Sequence, residues 1–222
     1  EIVFILCSVT PREKNLLPIF TIFLFSACSF KMPEFLTFSD INYDELLKEA
    51  NICQDLDTQK EKLDCYKKIE NSNSFAQIRL GTYYSTKNDY KESLKYLNMA
   101  DENKNLYAKL PLALLYYKGE GVKKDINKSF ELLKESSDID PIAAFQLSRF
   151  YLQGINTKID NEKGIDLLNF SAQNGVFQAQ ELLSNVYKQG LYGVAKDQIK
   201  YEYWLNKATS NKEDKNSNIY IF

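Results

Sequence analysis

The glycines of the stretch Gly119-Glu120-Gly121-Val122 are the first residues whose type and spacing suggest chemistry, because a glycine-rich loop can bind phosphate through backbone N–H groups. The full Walker pattern, Gly-x4-Gly-Lys-Ser/Thr, is absent. The loop also lies between two segments with helical apolar stripes, whereas the phosphate-binding motif requires a preceding strand. The sequence therefore favours a structural corner between two helices over a nucleotide site.

The side chains that most often carry catalysis are missing. None of the 222 residues is histidine, which removes the commonest general base near neutral pH and the commonest zinc ligand. Ser-His-Asp and Cys-His catalysis are thereby excluded, and the β-lactamase motifs Ser-x-x-Lys, Ser-Asp-Asn and Lys-Thr-Gly do not occur. The sequence contains no EF-hand loop. It predicts a protein that is not an enzyme and that needs no cofactor and no metal.

The charge balance bears on the class of partner. The chain has 28 basic and 30 acidic residues, which leaves a formal net charge of −2. Broad binding to nucleic acid needs a concentrated basic face, so we expect no nucleic-acid partner. A chain of this length can form one or two domains with a sizeable core.

The beginning of the chain differs from the rest. Arg12 and Lys14 precede the apolar run 16–25, which ends in the small residues 26–28. A basic flank, a short apolar run and a small-residue end are typical of a secretory signal. The run is too short to span a bilayer as a helix, which needs about 20 residues. The alternative, a buried hydrophobic helix, stays open.

The end of this run, Phe25-Ser26-Ala27-Cys28, resembles the lipobox of bacterial lipoproteins, although Phe25 stands where leucine is usual. The resemblance implies that Cys28 is lipidated and becomes the mature N-terminus. Because Ser29 follows, it also implies export to the outer membrane. A multiply acylated cysteine anchors a protein firmly. We therefore predict a leader at 1–28 and an outer-membrane-anchored lipoprotein that faces the periplasm, with membrane contact through the lipid anchor only.

Two further cysteines, Cys53 and Cys65, lie in a stretch that predicts a helical hairpin with its turn at 55–57. Thr58 and Glu61 form a capping box for the second helix. Disulfides persist outside the cytoplasm, and the cysteine spacing resembles that of Cys-bridged helical hairpins in other periplasmic proteins, which implies a disulfide. The alternative is two free cysteines packed as small hydrophobes. We place an N-terminal capping hairpin at 39–72.

Four segments share one frame: an alanine, a leucine four residues later, a small residue next and a tyrosine three beyond. The frames begin at Ala76, Ala108, Ala143 and Ala179. The four positions fall on one arc of a helix. In the last three frames a glycine follows the tyrosine by three residues and suits a helix end, and an aspartate then caps a second helix. Each unit is thus a predicted helix pair that buries its apolar face by stacking on the next.

The pattern Ala-x3-Leu-Gly-x2-Tyr-x2-Gly-x-Gly-Val-x2-Asp-x2-Lys-Ala, which the second unit matches best through Gly119–Asp125, is similar to the Sel1-like repeat, a relative of the tetratricopeptide repeat. The resemblance implies an all-α fold, a right-handed α-solenoid of stacked antiparallel helix pairs. We place the solenoid at 74–210 and a C-terminal tail at 211–222. The repeats are expected at about 74–105, 106–140, 141–176 and 177–210.

A partner-binding face is predicted on the first helix of each pair. Side chains two and six residues after each frame alanine point roughly away from the shared arc, and solenoids present such helices to a partner's peptide or helix. The alternative is that these side chains pack between neighbouring first helices. Arg79 and Arg149 are candidates because arginine is enriched at interfaces. The predicted face comprises Ile78, Arg79, Leu110, Leu114, Phe145, Arg149 and Asn185.

The resemblance implies a non-catalytic protein–protein interaction scaffold or adaptor of the bacterial cell envelope, with an unidentified protein or peptide partner. Two other functions are weighed against it. One is an envelope enzyme or inhibitor of the cysteine-rich Sel1-like type that binds β-lactams, and the other is a surface or secreted protein that interacts with host factors. The apolar end of the chain, 219–222, either docks on the last repeat or binds a partner.

Overall fold

The computed structural model describes residues 42–211 and 219–222. These residues form ten α-helices, a 3₁₀ turn at Leu106–Ala108 and no β-strand. The expectations for the leader at 1–28, Cys28 among them, lie outside the described residues. The helices are α1 Tyr43–Gln54, α2 Gln59–Ile69, α3 Ser74–Thr86, α4 Tyr90–Glu102, α5 Lys109–Lys118, α6 Ile126–Ser136, α7 Pro141–Gln153, α8 Asn161–Gln173, α9 Phe177–Gln189 and α10 Gln198–Ser210.

Helices α1 and α2 form a hairpin that precedes the repeats. The backbone N–H of Glu61 donates to Thr58 Oγ1 at 3.2 Å, and the Glu61 carboxylate accepts from the Thr58 backbone N–H at 3.1 Å, so the capping box begins α2. A disulfide joins Cys53 to Cys65, whose Cα atoms are 5.4 Å apart. Closing so short a loop stabilises the hairpin by about 3 kcal/mol in the chain-entropy model.

The next eight helices form four stacked antiparallel pairs, α3–α4, α5–α6, α7–α8 and α9–α10. The helices of each pair approach closely because small residues lie between them. A Cβ atom on Gly81 in α3 would lie 2.6 Å from the Leu97 side chain of α4. One on Gly164 in α8 would lie 2.5 Å from the Leu152 side chain of α7. The pairs form the predicted α-solenoid.

The glycines are corners between helices, as the sequence favours. Helices α5, α7 and α9 each end at a glycine in the left-handed region, with φ of 79° at Gly119, 67° at Gly154 and 71° at Gly190. Gly121 has φ 72° and Asn156, at the corresponding place two residues after Gly154, has φ 57°. Asparagine tolerates this conformation better than most side chains, which explains why the third repeat manages without a second glycine.

One backbone hydrogen bond closes the corner in all four repeats. The N–H of the aspartate that caps each second helix donates to the carbonyl of the frame tyrosine, at 2.9 to 3.0 Å. The first repeat, which lacks the glycine loop, keeps this bond. The corner geometry therefore depends on the aspartate–tyrosine bond more than on the glycines. The four pairs are Asp89–Tyr84, Asp125–Tyr116, Asp160–Tyr151 and Asp197–Tyr187.

Candidate functional site

The predicted partner-binding face is divided by burial. Ile78 and Arg79 have no solvent-accessible surface, and Leu110 retains 3%. Leu114 is 37% exposed, Arg149 and Asn185 are exposed, and Phe145 is half-buried against the core of the last two repeats. The expectation of one continuous face is therefore corrected for Ile78, Arg79 and Leu110. These three side chains are covered by other parts of the chain and pack in the core.

Arg79 is covered by the hairpin. Its Nη2 donates to Asn51 Oδ1 at 2.6 Å, and its Nη1 donates to the Tyr66 hydroxyl at 3.1 Å. The Tyr66 hydroxyl in turn donates to Gln54 Oε1 at 2.8 Å. Burial raises the pKa of Tyr66, and the Arg79 charge opposes that rise. Arg79 thus ties α3 to both helices of the hairpin.

Residues 219, 220 and 222 pack against the core cluster that contains Ile78, and Tyr220 also packs against the cluster that contains Leu110. Their hydrogen bonds and ring contacts are with the hairpin and the first two repeats, not with the last repeat. The Thr82 hydroxyl lies 3.0 Å from the Tyr220 carbonyl oxygen and 3.0 Å from the Arg79 carbonyl oxygen of its own helix, so its one proton is shared between these two acceptors. The Phe222 ring centroid lies 4.2 Å from that of Tyr83 and 5.3 Å from that of Tyr66. The sequence left open whether this stretch docks on the last repeat or binds a partner; in the structure it packs within the chain, but not on the last repeat. The packing that determines its place is long-range, since 138 residues separate Tyr220 from Thr82.

The Tyr220 hydroxyl has a polar site of its own. It donates to Asp140 Oδ2 and lies 3.1 Å from the Tyr107 carbonyl oxygen. Asp140 is buried, and its other oxygen accepts from the Ile142 backbone N–H at 2.9 Å to cap α7. Burial, followed by the Asp140 carboxylate, raises the pKa of Tyr220 well above its usual value. The phenol therefore stays neutral and available as a donor at physiological pH.

We name residues 66, 82, 83, 107 and 140, which contact Tyr220 or Phe222, the tyrosine site. The site combines three kinds of contact: a hydroxyl donor to a main-chain carbonyl, a buried carboxylate that accepts from a phenol, and a slot between two tyrosine rings. Sequence reasoning singled out none of these residues as a site. Thr82 occupied an outward position in the repeat frame, which was the one available signal.

The other part of the face stays open. We name Leu114, Phe145 and Arg149 the open patch. Leu114 and Arg149 line a cavity of about 250 Å³ between α5–α6 and α7, together with Tyr117, Gln146 and other residues. Arg149 Nη1 donates to Gln146 Oε1 at 3.1 Å, and the guanidinium is exposed. The exposed, positively charged Arg149 side chain thus lies at the edge of a largely apolar cavity.

The described part of the chain has neither a group of metal ligands nor a helix that could span a membrane. Among residues 42–211 and 219–222, no three or more Cys, Asp or Glu side chains are grouped so that they could hold a metal ion. None of the ten helices described above has both the length and the apolar character to cross a membrane.

Comparison with known proteins identifies the repeats. The Sel1 repeat family model matches residues 74–102, 108–139, 141–176 and 177–212, which together make up more than half of the chain. The alginate biosynthesis protein AlgK of Pseudomonas syringae pv. tomato is 29% identical over 102 residues. That alignment covers 46% of this chain and only 22% of the length of AlgK.

Two crystal structures share the fold. A Sel1 repeat protein from Oxalobacter formigenes superposes with a TM-score of 0.67 and 24% identity, over 75% of this chain and 72% of its own. A protective antigen present in uropathogenic Escherichia coli strains, described as having an SLR fold, gives a TM-score of 0.59 and 24% identity, over 76% of this chain and 38% of its own. At this level of identity the likeness concerns the fold alone.

Proposed function

Because this chain belongs to the Sel1 repeat family, whose members are protein-interaction scaffolds, we propose that it is a non-catalytic adaptor of the bacterial cell envelope. The observation that carries the proposal is the open patch. Its exposed arginine stands beside an apolar cavity of about 250 Å³. Arginine and fillable apolar pockets are the features that dominate binding energy at protein interfaces. The partner is a protein with an apolar anchor flanked by a carboxylate.

The envelope location rests on two features. The leader pattern ahead of Cys28 predicts export and a lipid anchor in the outer membrane, with the repeats facing the periplasm. The disulfide between Cys53 and Cys65 supports export, because disulfides persist in the periplasm and are rare in the cytosol. Asn185 and the open patch then lie on the part of the protein that meets the partner.

Site-specific photo-crosslinking tests the adaptor proposal. p-Benzoylphenylalanine replaces Leu114 or Arg149 in the full chain expressed in its native host, and intact cells are irradiated. The same label at Lys128, which is exposed on α6, is the matched control. We expect one discrete adduct of the same mass from both open-patch positions and none from Lys128. Equal adducts from all three positions, or none from the open patch, would contradict the proposal.

Protease treatment of intact cells separates the periplasmic location from a surface location. A periplasmic protein resists added protease until the outer membrane is permeabilised. Digestion in intact cells would contradict the periplasmic assignment and favour a surface protein that meets external partners. The adaptor proposal itself does not depend on that result.

A further inference from the structure

In the tyrosine site, one segment of the chain is bound by other parts of the same chain, as a peptide is bound by a protein. Residues 219–222 are separated from α10 by residues 211–218 along the sequence, yet they are bound by α2, α3 and the segments that begin α5 and α7. The contacts distinguish one side chain from another. The Tyr220 hydroxyl meets a buried carboxylate, the Phe222 ring enters a tyrosine-lined slot, and Ile221 between them remains 46% exposed.

The site contacts both the main chain and selected side chains of residues 219–222, as peptide-recognition sites do. The Thr82 hydroxyl contacts a backbone carbonyl of the bound segment, a group that every peptide sequence has. The buried Asp140 carboxylate favours a hydrogen-bond donor at the position of the Tyr220 hydroxyl, because a phenylalanine there would place an apolar ring edge against a buried charged oxygen. The slot between Tyr66 and Tyr83 favours a second aromatic ring two residues later. The intervening residue is free to vary.

We propose that the tyrosine site binds a Tyr-x-aromatic sequence of a partner protein, and that residues 219–222 are the intramolecular occupant which such a sequence displaces. The inference rests on the proposed function, in that it takes the chain to be an interaction protein, and it names the chemistry of the partner segment.

Because residues 219–222 are joined to the chain that binds them, an outside peptide must compete with a tethered ligand. A ligand joined to its own site acts at an effective concentration of roughly millimolar. The apparent affinity for an outside peptide falls in proportion to the fraction of sites left free. If residues 219–222 occupy nine-tenths of the sites, an outside peptide binds about tenfold more weakly than it would to an empty site.

A labelled peptide measures this exchange directly. The probe is a fluorescent peptide with the sequence of residues 216–222, Asn-Ser-Asn-Ile-Tyr-Ile-Phe, titrated with the full chain and followed by anisotropy. One chain is wild type and one carries Tyr220→Ala with Phe222→Ala, so that its own segment is released. We expect the released chain to bind the probe at least tenfold more tightly than wild type. The matched control is Ile221→Ala, which changes the exposed residue between the two and should bind like wild type.

Two further arms test recognition. A probe with tyrosine replaced by phenylalanine should bind the released chain about tenfold more weakly, and Asp140→Asn in the released chain should remove most of that difference. Asparagine preserves the cap of α7, and an unchanged thermal transition verifies the fold. Equal probe binding by released and wild-type chains overturns the proposal, as does a phenylalanine probe that binds as well as the tyrosine probe.

The outcomes also separate this inference from the adaptor proposal. If the released chain does not bind the probe while Leu114 and Arg149 still crosslink to a partner, the adaptor proposal stands and the tyrosine site is structural only. If the probe binds but the open patch yields no adduct, peptide binding by the tyrosine site stands and the adaptor proposal based on the open patch fails. A wild-type dimer on light scattering that dissociates on addition of probe would identify a second copy of this chain as the occupant and overturn the assignment to a different protein.

Discussion

Arg79 and Arg149 lie on the first helices of the first and third repeats, yet their surroundings are opposite. Arg79 has no exposed surface and is hydrogen-bonded to the hairpin through Asn51 and Tyr66. Arg149 is exposed and donates to Gln146 on its own helix. The same repeat architecture therefore provides a closed region at α1–α3 and an open region at α5–α7. What differs is which other part of the chain covers the first helices.

The largest expected effect compares the two arginines directly. Arg79→Ala should lower the free energy of unfolding by about 3 kcal/mol or more, because it leaves a cavity and removes the hydrogen-bond partner of the buried Tyr66 hydroxyl. Arg149→Ala should change it by less than about 0.5 kcal/mol, as is usual for an exposed side chain. Urea unfolding of the two full-length variants, followed by circular dichroism, measures both. Comparable losses would show that the two regions are not distinct.

The hairpin disulfide should come next. Cys53→Ala with Cys65→Ala should lower the free energy of unfolding of the hairpin by about 3 kcal/mol. Because α1 and α2 cover α3, hydrogen exchange should accelerate in α1, α2 and α3 and stay unchanged in α7 to α10. Exchange that accelerates uniformly along the solenoid would mean that the hairpin stabilises the open region as much as the closed one.

A third comparison concerns the corners. A Cβ atom on Gly121 would lie 2.4 Å from Tyr90 Cβ in the preceding repeat, whereas Asn156 occupies the equivalent place in the third repeat. Gly121→Asn should therefore destabilise by about 2 kcal/mol through overpacking. The reverse change, Asn156→Gly, should cost less than about 1 kcal/mol. Thermal melts of the two variants measure both stability losses. A Gly121→Asn protein as stable as wild type would contradict close packing at this corner.

The smallest change in stability is expected when the hydroxyl oxygen of Tyr220 is removed. Tyr220→Phe removes the hydrogen bond to Asp140 and should cost about 1.5 kcal/mol, a typical value for a bond to a charged group. The folded-state pKa of Tyr220 is raised, so its contribution to stability is complete below the unfolded pKa of about 10 and is lost as pH rises above it. Between pH 8 and pH 11 the wild type should lose more stability than Tyr220→Phe.

Other buried tyrosines with raised pKa values, such as Tyr66 and Tyr107, titrate in both proteins. The difference between the two pH profiles therefore isolates Tyr220. Parallel profiles from pH 8 to pH 11 would mean that its hydroxyl is not held at Asp140 in solution.

The sequence predicted what local patterns determine. The frame from Ala76 onward gave the helix pairs, the capping box at Thr58 gave the start of α2, and the glycine corners followed from φ preferences that a single residue decides. The same reasoning placed Leu114 and Arg149 on a free helix side, where the structure shows them exposed.

What local patterns do not determine is which segments meet across the chain. Arg79 donates to Asn51, which lies 28 residues earlier, and the core cluster that contains Ile78 is packed against residues 219, 220 and 222 from the far end of the sequence. Asp140 caps α7 through one oxygen, which is a local interaction, but its second oxygen also accepts from the hydroxyl of Tyr220, 80 residues away. No periodicity in the sequence signals such pairings.

A pair of photo-crosslinking positions tests the division into closed and open regions most directly. p-Benzoylphenylalanine in place of Tyr83 faces the Phe222 ring, and in place of Arg149 it faces the open patch. In the purified chain, where no partner competes, position 83 should give a crosslink to residues 219–222 without a change in mass. In intact cells, position 149 should give an adduct with another protein. A purified chain without an internal crosslink from position 83, or cells without a partner adduct from position 149, would contradict the division into closed and open regions.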